Sequence, residues 1–237
     1  MTATHDWRVV TWNLHGSALP DLVLIAAALR ELQPDVVALQ EVQRRQARRL
    51  ARMLGWRRRW ARKHHPYSPV VWWRTEGHAV LSPHRITDAR RTTLTPGVTT
   101  WKWRHRIVLS VTVHHRSSAL RLHCTHLSSD SADERIEQAR RLAARVSAEA
   151  HPLTVVAGDL NTHRHDLAEV VREFHVAGLR DPGGDSTCPS TVPQERLDMV
   201  LVPDGATVRR MHVPDSGDRW AAMSDHLPVL VYFEASA

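Results

Sequence analysis

Polar side chains suited to metal binding and proton transfer end several hydrophobic runs of the sequence. Six short motifs carry them: WNLHG (12–16), LQEV (39–42), CTHLS (124–128), GDLN (158–161), RLDMV (196–200) and SDHLP (224–228). Carboxylates and amides offer oxygen ligands to a hard divalent cation, and a neutral imidazole can accept a proton near pH 7. Side chains at strand ends lie at the rim of a sheet, where several can converge on one ligand. Together the six motifs predict an active site.

Two units of similar order would position four of these groups. The first unit has a strand at 7–13, a helix that Pro20-Asp21 opens, with Pro20 in its first turn, and that Pro34 ends, and a strand at 36–40. The second has a strand at 119–126, a helix over 132–148 behind a Ser131 cap, and a strand at 153–159. Such a unit forms a right-handed crossover with parallel strands. Asn13 and Glu41 would then share one sheet edge, and His126 and Asp159 another. If the units pack face to face, the four polar groups meet in one cleft.

The remaining segments predict further strands and one more helix. Their turn-bounded apolar runs are typical of sheet hairpins, at 77–83, 103–115, 195–202 and 227–233. Ala47, Leu50 and Leu54 form a helical apolar stripe that ends before Gly55. A chain of 237 residues can bury a substantial core, so we expect one α/β domain over residues 1–237.

Charge is concentrated in one segment. The formal net charge is +7, yet residues 44–63 alone contain nine arginines and Lys63 and no acidic residue. A block of this density is a candidate binding surface for phosphodiester backbones or anionic head groups. The alternative is a solvated helix face in a chain that strongly favours arginine over lysine. Both interpretations remain open from the sequence.

Several other classes of protein do not fit the sequence. The longest apolar run, 22–29, has eight residues, whereas a membrane span needs about 20. The first residues lack the basic and apolar regions of an export signal, so we expect a cytoplasmic protein. Cys124 and Cys188 have no C-x-x-C spacing, and we expect both to be reduced. Zinc frameworks, P-loops, G-x-G-x-x-G turns and serine-hydrolase elbows are absent.

The six motifs resemble those of the endonuclease/exonuclease/phosphatase superfamily and stand in the same order. This group includes pancreatic-type deoxyribonucleases, AP endonucleases, neutral sphingomyelinases, inositol polyphosphate 5-phosphatases and tyrosyl-DNA phosphodiesterases. The motifs run from Trp12 to Pro228 and so cover nearly the whole chain. The resemblance implies a four-layer α/β sandwich, with two mixed β-sheets packed face to face and helices outside. It also implies divalent-metal-dependent cleavage of phosphoesters.

The resemblance further implies a metal site. Glu41 looks like the carboxylate that holds Mg²⁺, with Asn13 beside it. Asp225 looks like a further carboxylate near the metal, although a carboxylate before a strand is often only a cap or turn residue. Oxygen ligands suit Mn²⁺ equally well, so the sequence does not distinguish the two ions.

The resemblance implies catalytic roles for five other residues. Asp159 and Asn161 look like the pair that orients the attacking water and contacts the scissile phosphate. His226 looks like the general base or a phosphate-stabilising imidazole, oriented by Asp198. A carboxylate inside an apolar strand is costly to bury unless it is paired, which independently favours a histidine partner for Asp198. His126 looks like a second phosphate-contacting imidazole.

Substrate contacts are less clearly marked. Arg58 lies in the basic block, and Trp101 and Trp103 lie beside Lys102 and Arg104. An aromatic ring near arginine can stack on an unpaired base, so we predict that Arg58 and the two tryptophans contact substrate. The alternative is that the tryptophans belong to the core. His126 stands where AP endonucleases commonly carry tyrosine, which favours the deoxyribonuclease, sphingomyelinase and phosphatase branches.

These observations predict a Mg²⁺- or Mn²⁺-dependent phosphodiesterase whose substrate is DNA or RNA. The enzymatic alternative is a phosphomonoesterase, or a phosphodiesterase of phospholipids or inositol phosphates, because those anionic substrates also favour a basic rim. The non-enzymatic alternative is a binding module that kept the fold and lost the chemistry. The sequence does not distinguish endo- from exonucleolytic cleavage and leaves the oligomeric state open.

Overall fold

The computed structural model describes residues 4–63, 74–95, 105–149 and 151–236. Its strands are β1 (Thr4–Asn13), β2 (Val36–Gln43), β3 (Arg57–Arg62), β4 (Glu76–Ser82), β5 (Arg85–Thr93), β6 (Ile107–His115), β7 (Ser118–His126), β8 (Thr154–Asp159), β9 (Leu179–Arg180), β10 (Asp198–Pro203), β11 (Thr207–His212) and β12 (Val229–Ser236). Its helices are α1 (Leu22–Leu32), α2 (Arg44–Leu54), α3 (Ala132–Glu149), α4 (Leu167–Val176) and α5 (Asp218–Ala221), with a 3₁₀ turn at Gly16–Ala18.

The strands form two six-stranded mixed sheets. The first sheet has the order β11-β12-β1-β2-β4-β3, and the second has the order β5-β6-β7-β8-β10-β9. β1 and β2 are parallel, as are β7 and β8, and each parallel pair is flanked by antiparallel strands. The parallel pairing predicted for both crossover units is therefore confirmed.

Three buried clusters define four layers. The central cluster fills the space between the sheets and includes Trp7 and Phe233. A second cluster joins the outer face of the first sheet to α1 and α2, and a third joins the outer face of the second sheet to α3 and α4. Apolar residues alternate along the strands because successive side chains point to opposite faces. The chain is thus the predicted α/β sandwich.

Side chains cap two of the crossover helices. Oδ1 of Asp21 accepts hydrogen bonds of 2.8 and 3.2 Å from the N–H groups of Val23 and Leu24, which have no partner inside the helix. Pro20 therefore precedes the cap and lies outside the first turn. Ser131 caps α3 as predicted, since its Oγ accepts from the N–H of Glu134 at 3.4 Å.

Several elements differ from the sequence prediction. β3, β5, β11 and α4 were not predicted, and β10 begins at Asp198 rather than at 195. β3 (RRRWAR) lacks an apolar alternation because it is an edge strand, in which Ala61 is buried and Trp60 partly buried. β6 begins at Ile107, and the predicted start at 103 lies outside the described residues. None of the helices in the described ranges is long and apolar enough to cross a membrane.

Candidate active site

Strand register places three predicted residues in one row across the second sheet. His126 is level with Asp159 in the parallel pair β7–β8, and Asp159 is level with Asp198 in the antiparallel pair β8–β10. Asn13 ends β1 of the first sheet, which packs against this row. The row therefore results from pairing between strands that are distant in sequence.

A bulge in β2 turns Glu41 towards the same rim. The register with β4 shifts between Leu39 and Val42, and both of these residues pack in the outer cluster although they are three positions apart. The intervening Gln40 and Glu41 break the strict alternation of the strand. Glu41 has a left-handed backbone with φ of 50°, which is uncommon for a side chain other than glycine. Such conformations cluster at functional sites, where the surrounding structure enforces them.

The turn after β1 packs tightly against Glu41. A Cβ atom on Gly16 would lie 2.4 Å from the carbonyl oxygen of Glu41 and 2.5 Å from Oε1 of Gln46, so only glycine fits. The side chain of Gln46 also donates to Gly16 O at 2.8 Å. Gly16 of the WNLHG motif is thus required because Glu41 and Gln46 approach its Cα too closely for a side chain. This contact holds the end of β1 beside Glu41.

Asp159 lies at the centre of the site and is almost completely buried. Its Oδ2 accepts a hydrogen bond of 2.9 Å from Nδ2 of Asn13, and its Oδ1 accepts one of 3.0 Å from the N–H of Asn161. The Nε2 atoms of His126 and His226 lie 3.6 and 4.0 Å from Asp159 Oδ2. One carboxylate is therefore held by two donors and faces two imidazoles.

His226 forms a short ion pair with Asp198. Its Nδ1 lies 2.7 Å from Oδ2 of Asp198, which also accepts from Oγ1 of Thr187 at 2.7 Å. Trp12 donates to the backbone carbonyl of His226 at 2.8 Å, and Ser224 Oγ accepts from its N–H at 3.1 Å. These hydrogen bonds hold the backbone and the ring of His226, and its Nε2 faces Asp159.

The charges of the site shift the pKa values of these groups. Burial raises the pKa of Asp159 to about 6, and the charge of Asp198 acts in the same direction. Burial alone would favour a neutral His226, but the charge and hydrogen bond of Asp198 raise the pKa of that imidazole well above its usual value. At neutral pH the metal-free site therefore contains a protonated His226 between two carboxylates.

A buried lysine and a buried arginine lie beside Glu41 and His126. Nζ of Lys63 is 3.1 Å from Oε1 of Glu41 and 3.4 Å from Nδ1 of His126. Burial alone would raise the pKa of Glu41, but Lys63 holds it below its usual value. Burial, together with Lys63 and Arg106, lowers the pKa of His126 well below its usual value, so this ring is neutral.

A family model described as the Endonuclease/Exonuclease/phosphatase family matches residues 10–226. The chain belongs to this family. The members of this family are phosphoesterases. The match includes five of the six motifs completely and reaches His226 in the last. The family membership predicted from the sequence is confirmed.

Solved structures of the family share the fold. One endonuclease/exonuclease/phosphatase, from Beutenbergia cavernae DSM 12333, has 26% identity and a TM-score of 0.77, over 98% of this chain and 72% of that chain. A family protein from Bacteroides thetaiotaomicron has 16% identity and a TM-score of 0.79, over 99% and 100%. A mannosyl-6-phosphatase from Bacteroides thetaiotaomicron VPI-5482 has 17% identity and a TM-score of 0.76, over 96% and 99%. A search of curated proteins found no match.

The donors at the rim suit a divalent cation. Glu41 contributes a carboxylate whose side chain is 22% exposed, and donor atoms of Asp159, Asp198 and His226 all lie within 4.8 Å of one another. Oδ1 of Asp198 is buried without a hydrogen-bond partner among the described residues. Carboxylate oxygens are the ligands that Mg²⁺ and Mn²⁺ prefer. The residues of this family member therefore fit a metal-dependent phosphoesterase.

The structure does not bring every predicted residue into this cluster. Asp225 lies on the rim, about half exposed, with its Oδ2 3.1 Å from Nδ1 of His15. Arg58 lies on β3, near Arg44 and Arg48 of α2, and so belongs to the outer face rather than to the rim. Trp101 and Trp103 lie outside the described residues.

Lys63 and His78 also belong to the site. Lys63 was predicted only as part of the basic block and of a substrate-contacting loop, and its contact with Glu41 was not predicted because that contact depends on β4 lying between β3 and β2. His78 in β4 is fully buried, and burial lowers its pKa to about 3. Both lie near His126, whose pKa they help to lower.

Proposed function

We propose that the chain is a divalent-metal-dependent phosphodiesterase that cleaves nucleic acid by attack of water on phosphorus. The observation that carries this proposal is the position of Asp159, held by Asn13 and the Asn161 N–H and facing two imidazoles. A fixed, buried carboxylate next to a charged imidazole supplies both a proton acceptor and a stabilising positive charge.

Asp159 orients the attacking water and accepts its proton. With a pKa raised to about 6, this carboxylate is ionised at neutral pH and is a stronger base than an exposed aspartate. Its hydrogen bonds from Asn13 and Asn161 restrict its rotation, so the base is preorganised. The P–O bond to the leaving group breaks as water adds, and the leaving oxygen takes up a proton.

The imidazoles and buried cations stabilise the phosphate. His226 was predicted to be either the general base or a phosphate-stabilising imidazole. Its raised pKa favours the second role, in which the charged ring is held in place by Asp198. His126 is neutral and can donate a hydrogen bond from Nε2. Lys63 and Arg106 are both buried and act electrostatically on Glu41 and His126, so their positive charges would attract a phosphate bound at this rim.

A bound divalent cation, Mg²⁺ or Mn²⁺, would neutralise charge that develops on the phosphate. Glu41 would hold it, with Asn13 beside that carboxylate. Asp225 is proposed as a more distant, rim carboxylate. Lys63 already pairs with Glu41 Oε1 at 3.1 Å, so a metal and the ammonium group compete for this carboxylate.

The test compares classes of phosphoester in the presence and absence of metal. Supercoiled plasmid, labelled single-stranded DNA and RNA are incubated with Mg²⁺, Mn²⁺ or EDTA, in parallel with an inositol polyphosphate and a sugar 6-phosphate. Metal-dependent strand cleavage supports the proposal. Release of inorganic phosphate from the monoesters without strand cleavage would contradict it and assign the chain to the phosphatases, of which one relative is named a mannosyl-6-phosphatase.

A further inference from the structure

An arginine-rich surface lies where the edge strands of the two sheets meet. It consists of the arginines of residues 44–62, on α2 and β3, together with Arg91 on β5. β3 ends the first sheet and β5 ends the second. Arg59 donates to the carbonyl of Ile86 at 2.9 Å, and Arg91 donates to that of Arg62 at 2.8 Å. The surface, called here the α2–β3–β5 surface, is therefore continuous across both sheets.

The arginines of this surface lack acidic partners. Residues 44–63 contain nine arginines and no aspartate or glutamate, and within the described ranges none of the nine forms an ion pair. Arginines elsewhere do so: Arg141 lies 2.7 Å from Glu137, and Arg145 lies 2.9 Å from Glu149. A general preference for arginine applies to the whole chain. It does not explain why nine arginines fall within twenty consecutive residues that contain no acidic residue.

The like charges on this surface repel one another. Arg58 is half-buried, and burial, followed by the charges of Arg44, Arg48 and Arg59, lowers the pKa of its guanidinium group. Concentrated charge of one sign destabilises the compact state unless counter-ions or a ligand neutralise it. A polyanion would relieve this repulsion, and its binding would release counter-ions.

The chemistry of the surface favours a phosphodiester backbone over a lipid membrane. A helix that binds membranes presents large apolar side chains to the acyl region, but the apolar face of α2, with Ala47 and Leu50, is buried in the core. The exposed large apolar side chains of the described residues lie elsewhere: Leu19, Val23, Leu24, Val176 and Val192. Guanidinium groups bind phosphate oxygens in a bidentate manner, which suits a sugar-phosphate backbone.

The surface leads directly to the active site. α2 begins three residues after Glu41, and Arg62 at the end of β3 precedes Lys63, which contacts Glu41 at 3.1 Å. β3 extends about 17 Å away from this point, by the usual rise of a strand. We propose, resting on the proposed function, that the α2–β3–β5 surface binds the sugar-phosphate backbone of a nucleic acid whose scissile phosphate lies at Asp159.

The test measures binding separately from catalysis. Three exposed arginines of α2 are changed together, in the variant Arg45→Gln/Arg49→Gln/Arg52→Gln, since glutamine preserves helix propensity. The control variant changes three exposed arginines on other elements: Arg140→Gln, Arg172→Gln and Arg210→Gln. All proteins carry Asp159→Asn and contain EDTA, so that DNA is not cleaved. Fluorescence anisotropy with a random-sequence duplex gives Kd between about 50 and 200 mM salt.

The α2 variant is expected to bind duplex at least about tenfold more weakly, with the slope of log K against log salt reduced by about 2 to 3. The control variant should remain within about twofold of the parent. Equal affinity and slope for the two variants would overturn the inference. Weaker binding to phosphatidylserine vesicles with unchanged DNA binding would overturn it too and indicate a membrane surface.

A second readout separates this inference from the proposed function. With Asp159 intact and metal present, hydrolysis of bis(p-nitrophenyl) phosphate does not need an extended binding surface, so the α2 variant should keep the parent rate. Absence of hydrolysis in the parent protein would contradict the proposed function while leaving the binding result interpretable. Thermal melting of each variant verifies that the fold is retained.

Discussion

Asp159→Asn is expected to stabilise the metal-free protein at pH 8 while it removes activity. Burial raises the pKa of this carboxyl from 3.8 to about 6, so ionised Asp159 is less favourable in the fold than in the unfolded chain. Stability is therefore lost as the pH rises from about 4 through about 6, because the folded state binds the proton more tightly. Asparagine has the shape of the carboxyl and carries no charge.

The magnitude follows from the pKa shift. A rise in the pKa of Asp159 from 3.8 to about 6 corresponds to about 3 kcal/mol at pH 8, where this carboxyl is ionised in both states. At pH 4 the carboxyl is protonated in the fold and about half protonated in the unfolded chain, so the expected gain is below about 1 kcal/mol. The substitution should thus raise the free energy of unfolding at pH 8 much more than at pH 4.

The assay is urea denaturation of both proteins in EDTA at pH 4 and pH 8, with Asp166→Asn as the control. Asp166 is also buried, but its Oδ2 lies 2.6 Å from the Arg135 guanidinium, and this pair with the His163 N–H lowers its pKa despite the opposing effect of burial. Its loss should destabilise the protein by about 3–5 kcal/mol at pH 8, because a buried arginine remains unpaired. Destabilisation by Asp159→Asn at pH 8, or an equal effect at both pH values, would refute the reasoning.

Three further predictions test other parts of the structure. Asp198→Asn should lower the pKa of the His226 imidazole, measured by NMR titration, and should reduce the rate of phosphoester cleavage by about 10²–10⁴-fold. An unchanged pKa of His226 would argue against the ion pair. Lys63→Met should tighten Mn²⁺ binding in calorimetry, since the ammonium group no longer competes for the carboxylate, and weaker binding would argue against that competition. Gly158→Ala should lower the free energy of unfolding by about 1–3 kcal/mol in urea denaturation, because its Cβ would lie 2.0 Å from the backbone oxygen of Thr125. Gly205→Ala is the control: a Cβ there meets no atom within 4 Å, so the free energy of unfolding should not change.

The crossover units and the rim were predictable because they depend on local patterns. Apolar runs identified β1, β2, β7 and β8, and the polar residue after each run then lies at a sheet edge, as Asn13 and Asp159 do. The packing of the two sheets followed from family resemblance and brought these edges together. Local periodicity therefore identified the strands and their polar ends, and the resemblance supplied the packing of the two sheets that brings those ends together.

The remaining features depend on contacts that the sequence does not display. Lys63 reaches Glu41 only because β3 joins the sheet at its edge, and β3 has no apolar alternation to mark it. The bulge that turns Glu41 arises from the register with β4, which a single strand does not show. The outward position of Arg58 likewise follows from its packing beside α2.

The most direct test of the central claim is plasmid cleavage by three proteins under identical conditions. Purified wild type, Asp159→Asn and His226→Ala are incubated with supercoiled DNA and Mn²⁺ or Mg²⁺, and nicked product is measured against an EDTA control. We predict metal-dependent nicking by the wild type and a reduction of at least about 10²-fold in each variant. Metal-independent nicking, or nicking that survives in Asp159→Asn, would contradict an Asp159-centred phosphodiesterase.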